Sequence, residues 1–158
     1  MKRTLILGIG SPFGDDKAGW LVVDKLKQNP AIAKLVENGC LQLEVADRPG
    51  INLINWLLDE YERIVLIDMV KTNLQVSGTV YNLKASDIIG FSGMLSSHSL
   101  GVSASLALAR ELGISIDNVE FWGIEGSNIK PDTDVSQSVL TVIAEVSQKI
   151  FITLSLNI

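Results

Sequence analysis

Acidic side chains end or follow several apolar segments of this chain, and these residues could do chemistry together. They are Asp15 and Asp16, Asp47, Asp68 and Glu125. Asp68 is the hardest to explain as an ordinary surface residue, because it follows RIVLI and precedes Met69 and Val70. A carboxylate in such a run is expected to be partly buried and to require a partner. Carboxylates gathered at one place raise one another's pKa unless a cation lies among them, so the pattern favours cation binding.

The only histidine, His98, lies in the segment SSHSLG, where Ser96 or Ser97 can cap a following helix. His98 then falls in the first turn of that helix, which we expect at the same edge of the fold as the acidic residues. Two or three carboxylate or imidazole ligands with open positions suit a transition metal such as nickel, zinc or iron. Two simpler interpretations stay open: acidic residues after strands often cap helices, and a lone histidine is often structural or merely exposed.

Short apolar runs alternate with segments of helical periodicity, and together they supply the elements that must position these residues. The predicted strands cover 4–10, 41–47, 63–70, 78–83 and 118–126, and the predicted helices cover 18–29, 49–61, 102–113 and 135–154. This order predicts an α/β fold, a three-layer α-β-α sandwich around a mostly parallel, twisted five-stranded sheet with one antiparallel strand. Because the connection after residue 70 is too short for a crossover helix, we expect 78–83 to pair antiparallel with 63–70. Ligands of such sheets bind at the carboxyl ends of the parallel strands.

The composition limits the classes of protein that this chain can belong to. Its 158 residues predict a single domain over 1–158, with 47% apolar residues available for a core. The net charge of −5 argues against nucleic acid and against an anionic membrane surface as partners. Glu145 and Lys149 interrupt the longest apolar segment, so no membrane span is expected. The single cysteine, Cys40, predicts a cytoplasmic location.

Other chemistries fit the sequence poorly. The first turn, GIGSPFGDD at 8–16, is close to the dinucleotide-binding fingerprint without matching it, and Asp15 and Asp16 would repel a phosphate. The chain contains neither a GxxxxGK[ST] loop nor an HExxH motif. Catalysis by Cys40 is not expected either, because this residue precedes a strand at what should be the opposite edge of the sheet.

Four motifs in a fixed order extend this interpretation. They are GIGSPFGDDKAG, LIDMVKTNLQVSGTV, SSHSLG and WGIEGSNIKP, and they span nearly the whole chain. In these motifs the chain resembles the hydrogenase maturation proteases, the endopeptidases that remove the C-terminal extension from the large subunit of nickel–iron hydrogenases. The resemblance implies the same sandwich fold, a hydrogenase large-subunit precursor as partner, and nickel already installed in that precursor. It makes nickel a group supplied by the substrate, although other divalent cations can occupy such a site.

The resemblance also assigns residues. It implies Asp16, Asp68 and His98 as metal ligands and catalytic residues of a metal-dependent peptidase. The same motifs, together with the acidic residues at the carboxyl ends of the predicted strands, indicate supporting or substrate-binding positions. These are Gly10, Asp15, Asp47, Gly50 and Glu125. Two departures stand out: ADRPG replaces an Asp-Gly-Gly type of turn, which puts substrate choice there in doubt, and the first ligand is aspartate where some relatives have glutamate.

These assignments leave several alternatives open. Either Asp16 or Asp47 could act as general base, or the metal could only position the substrate. We expect Asp15 to cap the first helix and Asp16 to reach the metal. A non-catalytic nickel-binding chaperone or sensor on the same fold is the main alternative function, and a nucleotide-binding Rossmann-like enzyme is a third.

Overall fold

Five strands form a mixed sheet at the centre of the molecule. The structure, a computed structural model, describes residues 3–90 and 97–156, with the side chains of residues 97–100 outside the description. The strands are β1 (Thr4–Gly10), β2 (Leu41–Asp47), β3 (Arg63–Val70), β4 (Val80–Lys84) and β5 (Val119–Glu125). The helices are α1 (Ala18–Lys27), α2 (Pro30–Glu37), α3 (Leu53–Leu58), α4 (Ala85–Gly90), α5 (Ser97–Glu111) and α6 (Gln137–Ser155). Short 3₁₀ turns at Gly14–Lys17 and Gly50–Asn52 precede α1 and α3.

The sheet has the order β2-β1-β3-β5-β4. The pairs β1–β2, β1–β3 and β3–β5 are parallel, and β4 is antiparallel to β5. The predicted mostly parallel sheet with one antiparallel strand is therefore confirmed. The predicted partner of the antiparallel strand is wrong, since β4 pairs with β5 and not with β3. The crossover through α5 places β5 between them, and residues 71–79 are long enough to skip one strand, a distance of roughly 10 Å.

Helices cover both faces of the sheet, which confirms the three-layer sandwich. On one face, α1, α2 and α6 bury residues such as Val22, Ile32 and Val146 against the sheet. On the other face, α3, α4 and α5 do the same with residues such as Leu53, Ile88 and Leu106. In β3 the side chains of Leu66 and Val70 belong to this second face. Because side chains alternate along a strand, Asp68 also points towards the layer that contains α5.

Two short helices were not expected from the sequence. For α2, the Asn29 side chain accepts a hydrogen bond from Ala31 N at 2.9 Å, and Pro30 occupies the first helical position. Proline is favoured there because its missing N–H has no helical partner in any case. Pro30 therefore begins a helix in the segment between the predicted helix 18–29 and β2. The second of these helices, α4, follows β4 directly and buries Ile88.

The closing helix, α6, is the one helix in the described part of the chain that is long and apolar enough to cross a membrane, with a mean hydropathy of 1.3. Val139, Val146 and Ile150 on this helix are completely buried against the sheet and α1. Glu145 and Lys149 form an ion pair of 2.7 Å on its exposed side. The apolar face of α6 therefore has a packing partner within the fold.

Two glycines allow α1 to approach the sheet closely. A Cβ added at Gly19 would lie 2.3 Å from the Ile9 carbonyl oxygen and 2.5 Å from that of Ile67, and one at Gly8 would lie 2.4 Å from Gly19 O. Real Cβ atoms do not approach backbone oxygens so closely. Helix α1 must therefore be displaced from β1 and β3 if either glycine gains a side chain.

We expect Gly19→Ala to lower the free energy of unfolding by roughly 2–3 kcal/mol, because backbone atoms on both sides have to move. Urea unfolding followed by circular dichroism measures this change. Lys25→Ala, at an exposed position of the same helix, serves as the control and should stay within about 0.5 kcal/mol of the wild type. Equal stability of the Gly19 variant and the wild type would contradict the close packing described here.

Candidate active site

The turn after β1 buries Asp16 at the carboxyl edge of the sheet. Ser11 N donates a hydrogen bond of 3.2 Å to the Asp16 carbonyl oxygen, and the Ser11 hydroxyl donates to Asp16 Oδ2. The Asp16 side chain is only 1% exposed, and its Oδ1 has no partner among the described residues. A Cβ at Gly10 would lie 2.4 Å from Asp16 O, so this position accommodates no side chain. Gly10 and Ser11 thus fix Asp16, and the role of Ser11 was not anticipated from the sequence.

Asp68 lies close to Asp16 and is equally buried. It is 1% exposed, and neither of its carboxylate oxygens has a hydrogen-bond partner of ordinary geometry among the described residues. Burial and, to a smaller extent, the negative charge of Asp16 raise the pKa of Asp68 well above its ordinary value, while the Met69 backbone N–H acts in the opposite direction. An ionised Asp68 is therefore costly unless a proton or a cation accompanies it.

Together, Asp16 and Asp68 form what we call the acidic pair. It presents three carboxylate oxygens without hydrogen-bond partners among the described residues, namely Asp16 Oδ1 and both oxygens of Asp68. Buried polar atoms in native proteins almost always have partners, so unpartnered ones indicate that something else binds there. Two buried carboxylates of like charge that interact with each other suit a divalent cation, whose charge removes their mutual repulsion.

Helix α5 brings His98 to the same edge. Ser105 Oγ donates a hydrogen bond of 2.7 Å to Gly50 O, and a Cβ at Gly101 would lie 3.3 Å from Gly50 Cα. The N-terminal half of α5 therefore contacts the segment that follows β2 at the carboxyl edge. Since α5 begins at Ser97, His98 falls in its first turn, as expected. The His98 side chain lies outside the described residues, so its predicted role as a ligand stays a prediction.

The described side chains alone contain no group of three histidine, cysteine, aspartate or glutamate residues that could hold a metal ion. The acidic pair supplies two carboxylates, and the predicted third ligand is the histidine just mentioned. A test of the complete ligand set therefore has to include His98.

Asp15 does not cap the first helix, contrary to our expectation. Neither the 3₁₀ turn nor α1 has a side-chain cap. Instead, the completely buried Asp15 carboxylate accepts hydrogen bonds from backbone N–H groups more than 110 residues away in the chain. These are Ser127 N at 2.8 Å, Asn128 N at 3.0 Å and Ser136 N at 2.7 Å, together with the Ser136 hydroxyl. Burial raises the pKa of Asp15, but these hydrogen bonds together outweigh it and leave the pKa below its ordinary value.

Glu125 also has a structural function at this edge. Its buried carboxylate accepts hydrogen bonds from Thr72 N at 2.8 Å, from the Thr72 hydroxyl and from the Tyr81 hydroxyl at 3.0 Å. Both of its oxygens therefore accept hydrogen bonds from Thr72, and one of them also accepts from Tyr81 in β4.

Asp47 differs from the acidic pair because it is exposed to solvent. Its carboxylate forms an ion pair of 3.0 Å with Arg48, whose guanidinium lies 5.4 Å from the ring centroid of Phe13. Arg48 N donates to Gly10 O at 3.0 Å and adopts a φ of 40°, a left-handed conformation that is uncommon for arginine. The ADRPG segment, residues 46–50, thus covers the outside of the first turn, and its last residue, Gly50, has a φ of 55°.

A cavity of about 1080 Å³ opens at the opposite, amino edge of the sheet. Its lining includes Cys40, Lys84 and the Arg63–Glu120 ion pair. The mixed charges do not indicate one class of ligand, and the acidic pair is not part of this lining. We therefore place the candidate active site at the carboxyl edge, where the unpartnered carboxylates lie.

Comparison with known proteins agrees with this architecture. The chain is similar to the E. coli hydrogenase maturating endopeptidase HybD, with a TM-score of 0.80 and 18% identity over 98% of this chain and 93% of that one. It is also similar to the [NiFe] hydrogenase maturation protease HybD of Thermococcus kodakarensis, with a TM-score of 0.66 and 24% identity over 94% and 98% of the two chains. Functionally curated proteins gave no significant match.

The family of this chain is assigned from its sequence. The profile of the HycI family, described as hydrogenase maturation protease, matches residues 22–152. This range contains Asp68 and His98, and it begins after Asp16. The match covers most of the chain, and the motifs that suggested the resemblance occur in the expected order. The chain therefore belongs to the hydrogenase maturation protease family, a family of peptidases.

Proposed function

We propose that this protein is the endopeptidase that removes the C-terminal extension of a nickel-loaded large-subunit precursor of a [NiFe] hydrogenase. The observation that carries the proposal is the acidic pair, with three unpartnered carboxylate oxygens buried at the carboxyl edge of the sheet. Family membership supplies the reaction class, and the acidic pair supplies a place where a metal-containing substrate can be held.

In this proposal, Asp16, Asp68 and His98 bind the nickel of the precursor. The nickel belongs to the substrate, so the protease engages only precursor that already contains it. A cation between the two carboxylates offsets the burial and the like charge of Asp16 that raise the pKa of Asp68, and this gain favours the nickel-loaded over the nickel-free substrate. The scissile peptide bond is then held beside the site, which makes hydrolysis effectively intramolecular.

Hydrolysis also requires a group that accepts a proton from the attacking water. Asp16 Oδ1 is buried and has no partner among the described residues, whereas Asp47 is exposed and paired with Arg48. These surroundings favour Asp16 over Asp47 as the proton acceptor, through Oδ2, because the unpartnered oxygen proposed to bind the nickel is Oδ1. The Ser11 hydroxyl, which donates to the same Oδ2, keeps that carboxylate oriented.

The test is to incubate the protein with candidate large-subunit precursors, with and without nickel, and to measure their intact masses. We expect a loss of mass equal to the C-terminal extension only in the nickel-loaded sample. Asp16→Asn should reduce the rate by at least about 100-fold, since it removes one charge from the acidic pair. Asp47→Asn is the matched control at the same edge and should change the rate less than about threefold. A precursor that is bound but stays full length would instead indicate a non-catalytic nickel-binding chaperone.

A further inference from the structure

The connection between β3 and β4, residues 71–79, exposes two large apolar side chains at the carboxyl edge. Leu74 is 56% exposed and Val76 is 78% exposed. This segment, which we call the 71–79 loop, leaves β3 three residues after Asp68. A polypeptide that reaches the acidic pair therefore arrives at the edge from which the loop projects. Single exposed apolar residues are common in proteins, so exposure alone does not indicate a binding surface.

The loop is held rigidly at both ends by Glu125. As described above, the buried carboxylate of this residue accepts hydrogen bonds from Thr72 and Tyr81. The backbone of the same residue binds the far end of the loop, with Gly78 N donating to Glu125 O at 2.7 Å and Glu125 N donating to Thr79 O at 2.8 Å. The side chain and the backbone of Glu125 thus fix both ends of the loop.

Further contacts fix the part of the loop that carries the exposed side chains. Asn73 has a φ of 58°, and the following Leu74 N donates to Thr72 Oγ1 at 3.1 Å. At the other end, the Ser77 and Ser138 hydroxyls lie 2.7 Å apart. A Cβ at Gly78 would come within 2.8 Å of Ser138 O, so the loop packs directly on the start of α6. Asparagine adopts the left-handed conformation more readily than most residues, so Asn73 suits this turn.

We propose that Leu74 and Val76 form a docking surface for an apolar depression on the folded body of the large-subunit precursor. A rigid loop loses little conformational entropy on binding, so exposed apolar groups held in this way are effective contacts. The surface is continuous with the strand that carries Asp68, which argues for the substrate as occupant rather than for an unrelated partner. The inference rests on the proposed function for the identity of that substrate.

The experiment compares the wild type with the double variant Leu74→Ser/Val76→Ser, using nickel-loaded precursor. We expect the KM for processing, and the Kd measured by biolayer interferometry, to rise about tenfold, because the lost contacts are apolar and peripheral to the chemistry. The kcat should change less than about twofold, because the acidic pair is unaltered. Thr72→Val, which loosens the loop but retains both apolar side chains, should raise KM by a smaller factor.

Leu112→Ser is the matched control, because Leu112 is also a large apolar residue, 62% exposed, and lies just after the C-terminal end of α5, away from the carboxyl edge. It should leave KM, Kd and kcat unchanged. An unchanged KM and Kd in the double variant overturns the docking surface, and so does a fall in kcat alone. A wild type that binds the precursor without cleaving it, while the double variant binds about tenfold more weakly, supports the docking surface and contradicts the proposed peptidase activity. Loss of a homodimer in the double variant, seen by light scattering, overturns the choice of occupant.

Discussion

Replacement of Asp68 by asparagine is expected to abolish processing of the precursor and, at the same time, to raise the melting temperature. The substitution keeps the shape of the side chain but removes its charge. Processing should fall by more than the roughly 10–100-fold that loss of an outer-shell partner of a metal site costs, since Asp68 is proposed to contact the nickel itself. A stabilised but inactive variant is the expected result because wild-type Asp68 is buried beside a like charge.

The gain in stability follows from the pKa of Asp68. Because the pKa is raised on folding, the folded state binds the proton more tightly than the unfolded state does. Both states are protonated well below pH 3.8, the ordinary value, and the wild type loses stability as the pH rises from 3.8 through the raised pKa. An asparagine does not titrate and carries no charge that burial would destabilise. The variant should therefore be more stable at neutral pH, and the difference should vanish in acid.

Thermal unfolding from pH 3 to pH 8, without added metal, measures this difference. We expect the melting temperature of Asp68→Asn to exceed that of the wild type by a few degrees at neutral pH. About 1 kcal/mol shifts the melting temperature of a chain of this size by roughly 2–4 °C. Added nickel should stabilise the wild type and have little effect on the variant. A variant that melts below the wild type at neutral pH would contradict the raised pKa, and one that processes precursor at the normal rate would contradict the ligand assignment.

The sequence predicted the central strands well because their burial leaves a clear pattern. β1 and β3 are parallel strands covered on both faces, and such strands appear as continuous apolar runs. The interruption of one run by Asp68 was therefore informative: no packing role accounts for a carboxylate there. The edge strand β4 carries no comparable signal about its partner. Its partner is β5, a strand that begins 35 residues after β4 ends and that lies between β3 and β4 in the sheet.

The different roles of the neighbours Asp15 and Asp16 could not be predicted in the same way. Neighbouring residues in a 3₁₀ turn point in directions about 120° apart. The Asp16 side chain therefore belongs to the acidic pair, whereas the Asp15 side chain points towards the segment before α6. Which is which depends on Ser127, Asn128 and Ser136, whose approach to the turn is set by the packing of β5 and α6. Local sequence contains no information about these distant donors. Gly14 shows the same dependence, since a Cβ there would lie 2.2 Å from Asn128 O.

Replacement of Asp15 by alanine is expected to destabilise the fold by about 3–5 kcal/mol, the largest effect on stability that we predict. It leaves three backbone N–H groups without their acceptor at a buried position, and each such group costs about 1–3 kcal/mol. The melting temperature should fall by roughly 10 °C. Asp24→Ala, at an exposed position of α1, is the matched control and should stay within about 0.5 kcal/mol of the wild type.

The pH dependence of the Asp15 effect is opposite in sign to that of Asp68. Folding lowers the pKa of Asp15, so its contribution to stability is fully present above the ordinary value of 3.8 and is lost as the pH falls through the lowered pKa. The gap between wild type and Asp15→Ala should thus be constant near neutrality and narrow only in strong acid. Urea unfolding at pH 7, 5 and 3 measures it. If Asp15→Ala instead lost processing activity while keeping wild-type stability, Asp15 would belong to the chemistry of the acidic pair and not to the link that joins the first turn to the segment before α6.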